Sequence, residues 1–350
     1  MTSMLYERMK VVTLMNPKYP NRGTSLINGE MSGIVNWNDI RYPQMYILFK
    51  KMRSNFWIPQ RISMSGDLKN WSELTDSEQE AFLRLIGMLA TLDSKQTRAA
   101  LEFMRYITDP TYVPILSILA EQEATHNESY SYVLSSLVPL HVQSKAFNDA
   151  KVDPLVIKRN SRVDELYQSF IDKPTPQSFF EALIACVVLE GINFYSAFTF
   201  FYNLARNQKM LGTSTMINYI QRDEMQHTYT FTQLVRYLLE EMPELNTEKN
   251  VNFIYDTLQE ATEMEIEWSQ SVLGDVKGID LVELEGYIKK LCNRRLRALG
   301  LGDLYKGVDN SMPWMIAFDD AASGETKTDT FEQKSRAYKK VDEDNDIDYL

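Results

Sequence analysis

The sequence contains the tetrad Glu-x-x-His twice, from Glu123 to His126 and from Glu224 to His227, yet it has only three histidines in 350 residues. Residues three apart on an α-helix lie on the same face, so each tetrad directs one carboxylate and one imidazole toward the same point. Two such helices that face each other, with one carboxylate from each of two further helices, form a cage for two metal ions. The doubled tetrad therefore predicts a helical bundle around a dinuclear metal centre.

Two acidic residues behind apolar stretches supply the further carboxylates. Asp93 follows residues 90–92 and Glu190 follows residues 187–189. Burying a carboxylate without a partner is costly, which favours a metal ion as the partner. A single tetrad is common on a solvated helix face, but two tetrads with two acids on four separate helices are far less common by accident. The predicted metal ligands are Asp93, Glu123, His126, Glu190, Glu224 and His227.

The donor set also limits the choice of metal. Carboxylates combined with imidazole suit iron or manganese, and the absence of thiolates argues against a structural zinc site. Both iron and manganese accept the same ligands, so the sequence leaves that choice open.

The apolar residues recur at helical spacing from Trp37 onward, and no alternating strand pattern of any length appears. We expect an all-α protein: a ferritin-like four-helix bundle core with additional helices. Residues 1–35 form a predicted N-terminal arm, 36–318 the helical domain, and 319–350 a disordered acidic tail of low hydrophobicity. The predicted helices cover residues 75–107, 114–138, 155–172, 177–207, 212–242, 247–273 and 279–299.

Composition excludes several classes of protein. The net charge of −11 argues against a nucleic-acid-binding surface. Cys186 and Cys292 are too few for a disulfide framework. The most apolar segment, residues 182–205, is interrupted by Glu190 and Asn193, which argues against a membrane span. We therefore expect a cytoplasmic protein.

Tyr130 lies four residues after His126, one helical turn further on the same face. A phenol beside an oxidising metal pair can be oxidised to a radical. Phe194, Phe198 and Ile220 fall at helical spacing from two predicted ligands and would form a dry, apolar wall around it. By spacing alone, however, an ordinary core role for these residues is the commoner case.

Four motifs surround the predicted ligands: Leu92-Asp93-Ser94-x-Gln96, Glu123-x-x-His126-x-x-Ser129-Tyr130, Glu190-x-x-x-Phe194-x-x-x-Phe198 and Arg222-Asp223-Glu224-x-x-His227. Together they resemble the small (beta) subunit of class I ribonucleotide reductase, and the resemblance runs from about residue 36 to 300 and includes the tail. It implies that the six predicted ligands hold the metal pair and that Tyr130 bears a radical.

The resemblance also implies a radical-transfer route through Trp57, Asp223 and a tail tyrosine, for which Tyr338 is preferred over Tyr349. Asp223 can bridge a ligand imidazole and the Trp57 indole N–H, which suits a supporting role beside the metals. The alternatives are that Trp57 is an ordinary buried anchor and that Tyr338 is an inert tail residue.

The implied function is to make and store a one-electron oxidant, on Tyr130 or on the metals, after reaction with O2 or a reduced form of it. The oxidant passes to a large (alpha) subunit that reduces ribonucleotides to deoxyribonucleotides. The resemblance implies a homodimer, docking of the tail on the large subunit, and leaves open a flavodoxin-like activator.

Two questions stay open from the sequence. Lys95, two residues after Asp93, is either solvated or hydrogen-bonded in the site, where it would alter the use of Tyr130. The rival functions are a di-metal oxidase or hydroxylase acting on its own substrate, which needs an open apolar channel, and a ferritin-type storage protein, for which 350 residues is long.

Overall fold

A computed structural model of the protein describes residues 4–309 and 311–323. Across these residues the chain is helical, and its only β-type pairing is an isolated bridge between Ile27 and Ile107. The prediction of an all-α protein is confirmed. The α-helices are α1 Pro43–Ser54, α2 Ser65–Trp71, α3 Asp76–Met104, α4 Tyr112–Leu137, α5 Leu140–Val152, α6 Pro154–Asp172, α7 Pro176–Val188, α8 Tyr195–Arg206, α9 Leu211–Glu241, α10 Glu248–Leu273, α11 Leu281–Ala298 and α12 Ile316–Ser323.

The core consists of four long rods. Helix α3 packs along α4, and the rod formed by α7 and α8 packs against α9, with further helices around them. The stretch Pro176–Arg206 is long and apolar enough to cross a membrane, but its apolar 18-residue window is entirely buried inside the protein. Its apolar character therefore reflects its central place in the core, as an all-round hydrophobic helix requires.

Polar side chains fix where two of the ligand-bearing helices begin. The Thr75 hydroxyl accepts from the Glu78 amide at 3.2 Å while the Thr75 amide donates to the Glu78 carboxylate at 2.8 Å, so the predicted capping box starts α3. Helix α9 begins where the buried Asp67 carboxylate accepts from the Gly212 and Thr213 amides at 2.8 and 2.7 Å. An acidic group there satisfies helix-terminal donors and the helix dipole.

Two predicted helices differ from the structure in more than their ends. The single helix predicted over 177–207 is interrupted by a π turn at Leu189–Asn193, which separates α7 from α8. Helix α5 is not among the predicted helices, because Pro139 both ends α4 and precedes α5, and the sequence pattern shows only the first of these roles. The helical pattern expected from Trp37 begins only at Pro43.

The remaining predicted helices end within three residues of the observed bounds. Such differences are ordinary, since helix ends fray and are hard to define.

The chain before α1 is irregular and packs on the helical body. The Met9 amide donates to the Pro174 carbonyl at 2.7 Å and the Val12 amide to the Arg105 carbonyl at 2.8 Å. Further along, the Leu26 amide donates to the Glu241 carboxylate at 2.7 Å. These bonds join the arm to the ends of α3, α6 and α9.

Of the predicted tail, only residues 319–323 are described, and they belong to α12. Asp319 accepts from the Gln221 side chain at 2.8 Å, and the Phe318 ring stacks on Tyr202 with centroids 4.2 Å apart. Helix α12 is thus held against α8 and α9. The predicted disorder beyond residue 323 lies outside the described residues.

Candidate metal centre

The six predicted metal ligands come from four helical segments and meet in the interior of the bundle. Every one of these side chains is 0% exposed. Both tetrads behave as their spacing predicts, since each pairs a histidine with the glutamate three residues earlier. Helix α3 carries Asp93, α4 carries Glu123 and His126, the π turn carries Glu190, and α9 carries Glu224 and His227.

The donor atoms form two overlapping groups, in each of which all donors lie within 4.8 Å of one another. Because Glu123 belongs to both, it lies where one carboxylate can bridge two neighbouring cations. The first group is Asp93, Glu123 and His126, and the second is Glu123, Glu190, Glu224 and His227.

The two imidazoles present the same nitrogen to the cluster. His126 Nδ1 lies 3.1 Å from Glu224 Oε1, and His227 Nδ1 lies 3.1 Å from Glu224 Oε2. The opposite nitrogens face polar groups outside the cluster: His126 Nε2 lies 3.4 Å from Asp223 and His227 Nε2 lies 3.0 Å from Gln122. A proton on each Nε2 would leave Nδ1 free as a metal ligand, and such outer partners fix the ring orientation of ligand histidines.

The cluster is rich in buried acceptors without a hydrogen-bond partner. An unpaired buried polar atom is costly, and so many in one place require a compensating positive charge. A pair of divalent cations supplies it, so the residues present fit a dinuclear metal group. The unpaired atoms are both carboxylate oxygens of Asp93, Glu123 and Glu190, Oε1 of Glu224, and Nδ1 of His126.

The electrostatics of the cluster lead to the same conclusion. Burial, and then repulsion from neighbouring carboxylates, raises the pKa of Asp93 and of Glu190 well above the usual range. Burial alone would lower the pKa of His126 and His227, but hydrogen bonds and charges from the carboxylates outweigh it and raise both. Without cations the cluster therefore retains protons, and metal binding would displace them.

Tyr130 lies on α4, one turn beyond His126, and only 1% of it is exposed. Burial, followed by the charge of Asp93, raises the pKa of its phenol well above the usual range. The predicted wall residues Phe194, Phe198 and Ile220 are fully buried, and the two phenylalanine rings stack with centroids 5.9 Å apart. Tyr130 is thus a neutral phenol in a dry environment.

Asp223 connects the cluster to Trp57. The Trp57 indole N–H donates to Asp223 Oδ2 at 2.9 Å, and the same oxygen lies 3.4 Å from His126 Nε2. The other oxygen accepts from the Arg222 guanidinium at 3.1 Å, and Arg222 also donates to the Asn55 carbonyl. The bridge expected from the sequence is therefore present as a geometry, with Trp57 and His126 on one carboxylate oxygen.

Two other residues from the sequence analysis have simple outcomes. Lys95 forms an ion pair with Asp164 of α6 at 2.6 Å on the partly exposed side of α3, so the hypothesis that it hydrogen-bonds in the site is wrong. Tyr338 and its competitor Tyr349 lie outside the described residues.

Gln122 is a part of the site that the sequence did not indicate, and Arg222 appeared there only as a motif residue without a role. Each immediately precedes a residue that the sequence did indicate, Glu123 and Asp223, and so lies off the predicted ligand face of its helix. Their contacts with His227 and Asn55 join distant parts of the chain. Only adjacency in sequence could have suggested Gln122, whereas Arg222 was marked by its place in the motif with Asp223 and Glu224.

Known proteins share this arrangement of helices. The family described as "Ribonucleotide reductase, small chain" matches residues 34–313. The ribonucleoside-diphosphate reductase subunit beta of Halalkalibacterium halodurans is 47% identical over 332 residues, which cover 94% of this chain and 96% of that protein.

Two solved structures are similar over most of their length. A crystal structure assigned to class I ribonucleotide reductase from Bacillus halodurans has a TM-score of 0.83 and 44% identity, covering 88% of this chain and 99% of that one. The ribonucleotide reductase R2 subunit from Clostridium botulinum has a TM-score of 0.86 and 35% identity, covering 89% and 99%. The predicted ferritin-like bundle is confirmed, and neither rival function is favoured. The chain belongs to the ribonucleotide reductase small-chain family, as a class I beta subunit of ribonucleoside-diphosphate reductase.

Proposed function

We propose that the six buried side chains hold two iron or manganese ions in each chain. The observation that carries this proposal is the convergence of so many unpaired acceptor atoms from four helices on one point of the core. When bound, the ions supply the one-electron oxidising power that the subunit delivers. The protein's own part is to set the donor positions and to keep water and reductants away from them.

Tyr130 is the proposed store of that oxidant. Its place one turn past His126, its nearly complete burial and the surrounding apolar core would protect a tyrosyl radical from solvent. Lys95 pairs with Asp164 and not with the site, so the sequence argument that Lys95 alters the use of Tyr130 no longer applies.

Trp57 and Asp223 are the proposed first steps of transfer toward the large subunit. When the indole loses an electron, its Nε1 proton becomes acidic, and Asp223 Oδ2 already accepts that hydrogen bond at 2.9 Å. Arg222 holds the other carboxylate oxygen, which keeps the acceptor aimed at the indole. Tyr338 of the tail would continue the route.

A beta subunit implies a large subunit as its partner and a dimeric form. We propose a homodimer that docks on the large subunit through its acidic C-terminal tail, with a flavodoxin-like protein as an activator. We also propose a cytoplasmic location, without binding of nucleic acid, membrane or the nucleotide substrate by this chain. The net charge of −11 and the burial of the apolar helix support the exclusions.

The metal proposal is tested with His126→Ala. The protein as isolated should bind two ions per chain, and the variant should lose at least one because a donor of the first group is gone. Metal analysis gives the stoichiometry, and circular dichroism checks that the variant stays helical. His141→Ala is the matched control, since His141 is exposed. Full occupancy in His126→Ala would contradict the assignment.

A further inference from the structure

The ligand Glu190 lies in the only π turn of the residues that the structure describes, Leu189–Asn193. Neither of its carboxylate oxygens has a hydrogen-bond partner. The side chains that face Glu190 are other predicted ligands, with His227 Nδ1 lying 3.7 Å from Glu190 Oε2. The placement of Glu190 among them depends on the backbone of the turn. A π turn interrupts the regular helical ladder and is less stable than the α-helix around it, so something must fix it.

Two buried arginines donate to carbonyl groups of this turn. Arg159, from α6, donates through Nη2 to the Asn193 carbonyl, and Arg295, from α11, donates through Nε to the Gly191 carbonyl at 3.0 Å. These carbonyls are one and three residues after Glu190. The two guanidinium groups thus approach the turn from two different helices on its C-terminal side.

Each arginine is itself fixed by other buried groups. Arg159 pairs with Glu265, whose carboxylate also accepts from Ser196 at the start of α8, and donates to Asn160 at 3.0 Å. A buried guanidinium is costly unless its donors are satisfied, which makes such a pair sensitive to any shift of its partners. The Arg159 contact is therefore geometrically strict.

Arg295 is held by its own neighbours. Its Nη2 donates to the Tyr195 hydroxyl at 3.0 Å. Gly191 leaves room for it, because a Cβ at that position would lie 2.5 Å from Arg295 Nε. The contact thus requires a residue without a side chain at position 191 and a long donor side chain at position 295.

We propose that Arg159 and Arg295 are positioning residues that clamp the π turn and thereby hold Glu190 as a ligand of one of the two ions. The inference rests on the proposed metal function. If the turn relaxed toward an α-helix, the Gly191 and Asn193 carbonyls would move away from their donors and Glu190 would turn with them. Glu190 belongs to only one of the two donor groups, so the clamp acts on one ion and not on the other.

The decisive variant is Arg295→Met, which keeps side-chain length and removes the donors. Its partners are uncharged, so no buried charge is left unpaired. Titration with Mn(II) under anaerobic conditions, with free Mn(II) measured by electron paramagnetic resonance, gives the number and affinity of the bound ions. We expect the first ion to bind as in the unaltered chain and the second to weaken by about tenfold or more, the usual scale for a lost supporting contact.

Arg295→Lys, which keeps the charge and one donor, should restore part of the second affinity. The double variant Arg159→Met with Glu265→Gln tests the contact from Arg159 without leaving an unpaired buried carboxylate. It should also weaken the binding of the second ion only. Arg41→Met, which removes a half-buried ion pair with Glu241 far along α9, is the stability control and should bind both ions normally.

The outcomes separate the two proposals. If the unaltered chain fails to bind two ions, the proposed metal function fails. If it binds two, and Arg295→Met binds both with unchanged affinity or loses both equally, the metal function stands and the clamp is overturned. Selective loss of the second ion, with partial rescue by lysine, supports the clamp.

Discussion

A single carboxylate oxygen of Asp223 serves two partners, the Trp57 indole N–H at 2.9 Å and His126 Nε2 at 3.4 Å. Arg222 occupies the other oxygen, so Asp223 cannot rotate to serve one partner without losing another. Trp57, His126 and Asp223 come from distant parts of the chain. A substitution of Trp57 therefore tests the transfer route without removing a metal ligand.

Trp57→Phe should block turnover and spare the metal ions, because it removes a transfer step and a donor to Asp223 but no ligand. The lost hydrogen bond to a charged group should also lower the free energy of unfolding by about 1.5–3 kcal/mol. Turnover is measured with the large subunit, and the metal content by elemental analysis. Trp37→Phe is the control, since Trp37 only stacks on Tyr46 and Phe49. An active Trp57→Phe enzyme would break the proposed route at its middle.

Tyr130→Phe should erase a sharp tyrosyl signal in the electron paramagnetic resonance spectrum together with ribonucleotide reduction, because phenylalanine cannot form that radical. Both metal ions should still bind, since the six ligands are unchanged. Tyr112→Phe is a matched control: Tyr112 is also fully buried with an unpaired hydroxyl. Retention of activity by Tyr130→Phe would place the oxidant on the metals instead.

At the scale of helices, several bounds could be predicted from local signals, although α5 was missed despite Pro139 before it. The capping box at Thr75 and the prolines between helices act within a few residues, so the bounds of α3 and α6 could be read directly. The π turn could not be predicted. Residues 182–205 are largely apolar around the whole helix, so the pattern contains no polar face whose shift would reveal an inserted residue. Gly191 was the one local sign of a departure from the regular helix. Its role is visible only in the folded protein, where Arg295 occupies the space next to it.

The difference between local signals and contacts made after folding also separates the predicted residues of the site from the unpredicted ones. The ligands were predictable because two tetrads repeat a spacing and two acids interrupt apolar runs. Gln122, Arg159 and Arg295 carry no such mark. Each acts only through a contact made after folding, across 105, 34 and 104 residues of chain respectively.

At the scale of the whole molecule, α12 is the last described element, and it is anchored on α8 and α9. Asp319 bonds to Gln221, which is two residues before Asp223 on α9. Residues two apart on a helix do not share a face, so α12 covers a different face of α9 from the one that carries Asp223.

Deletion of residues 341–350 should abolish binding to the large subunit and leave both metal ions in place, because the acidic end is far in sequence from every ligand. Sedimentation of the mixed subunits measures the complex, and metal analysis measures the site. Tyr338→Phe should instead keep the complex and lose turnover, while Tyr349→Phe should retain turnover. Unchanged affinity in the truncated chain would refute docking through the tail.

The complete burial of the six ligands has a kinetic consequence. Because all six side chains are fully buried, ions held by them should exchange only when the bundle opens locally, and such openings are rare in a packed core. The rate of metal loss should then follow the local opening of α3, α4, α7 and α9 and be independent of the strength of a competing chelator.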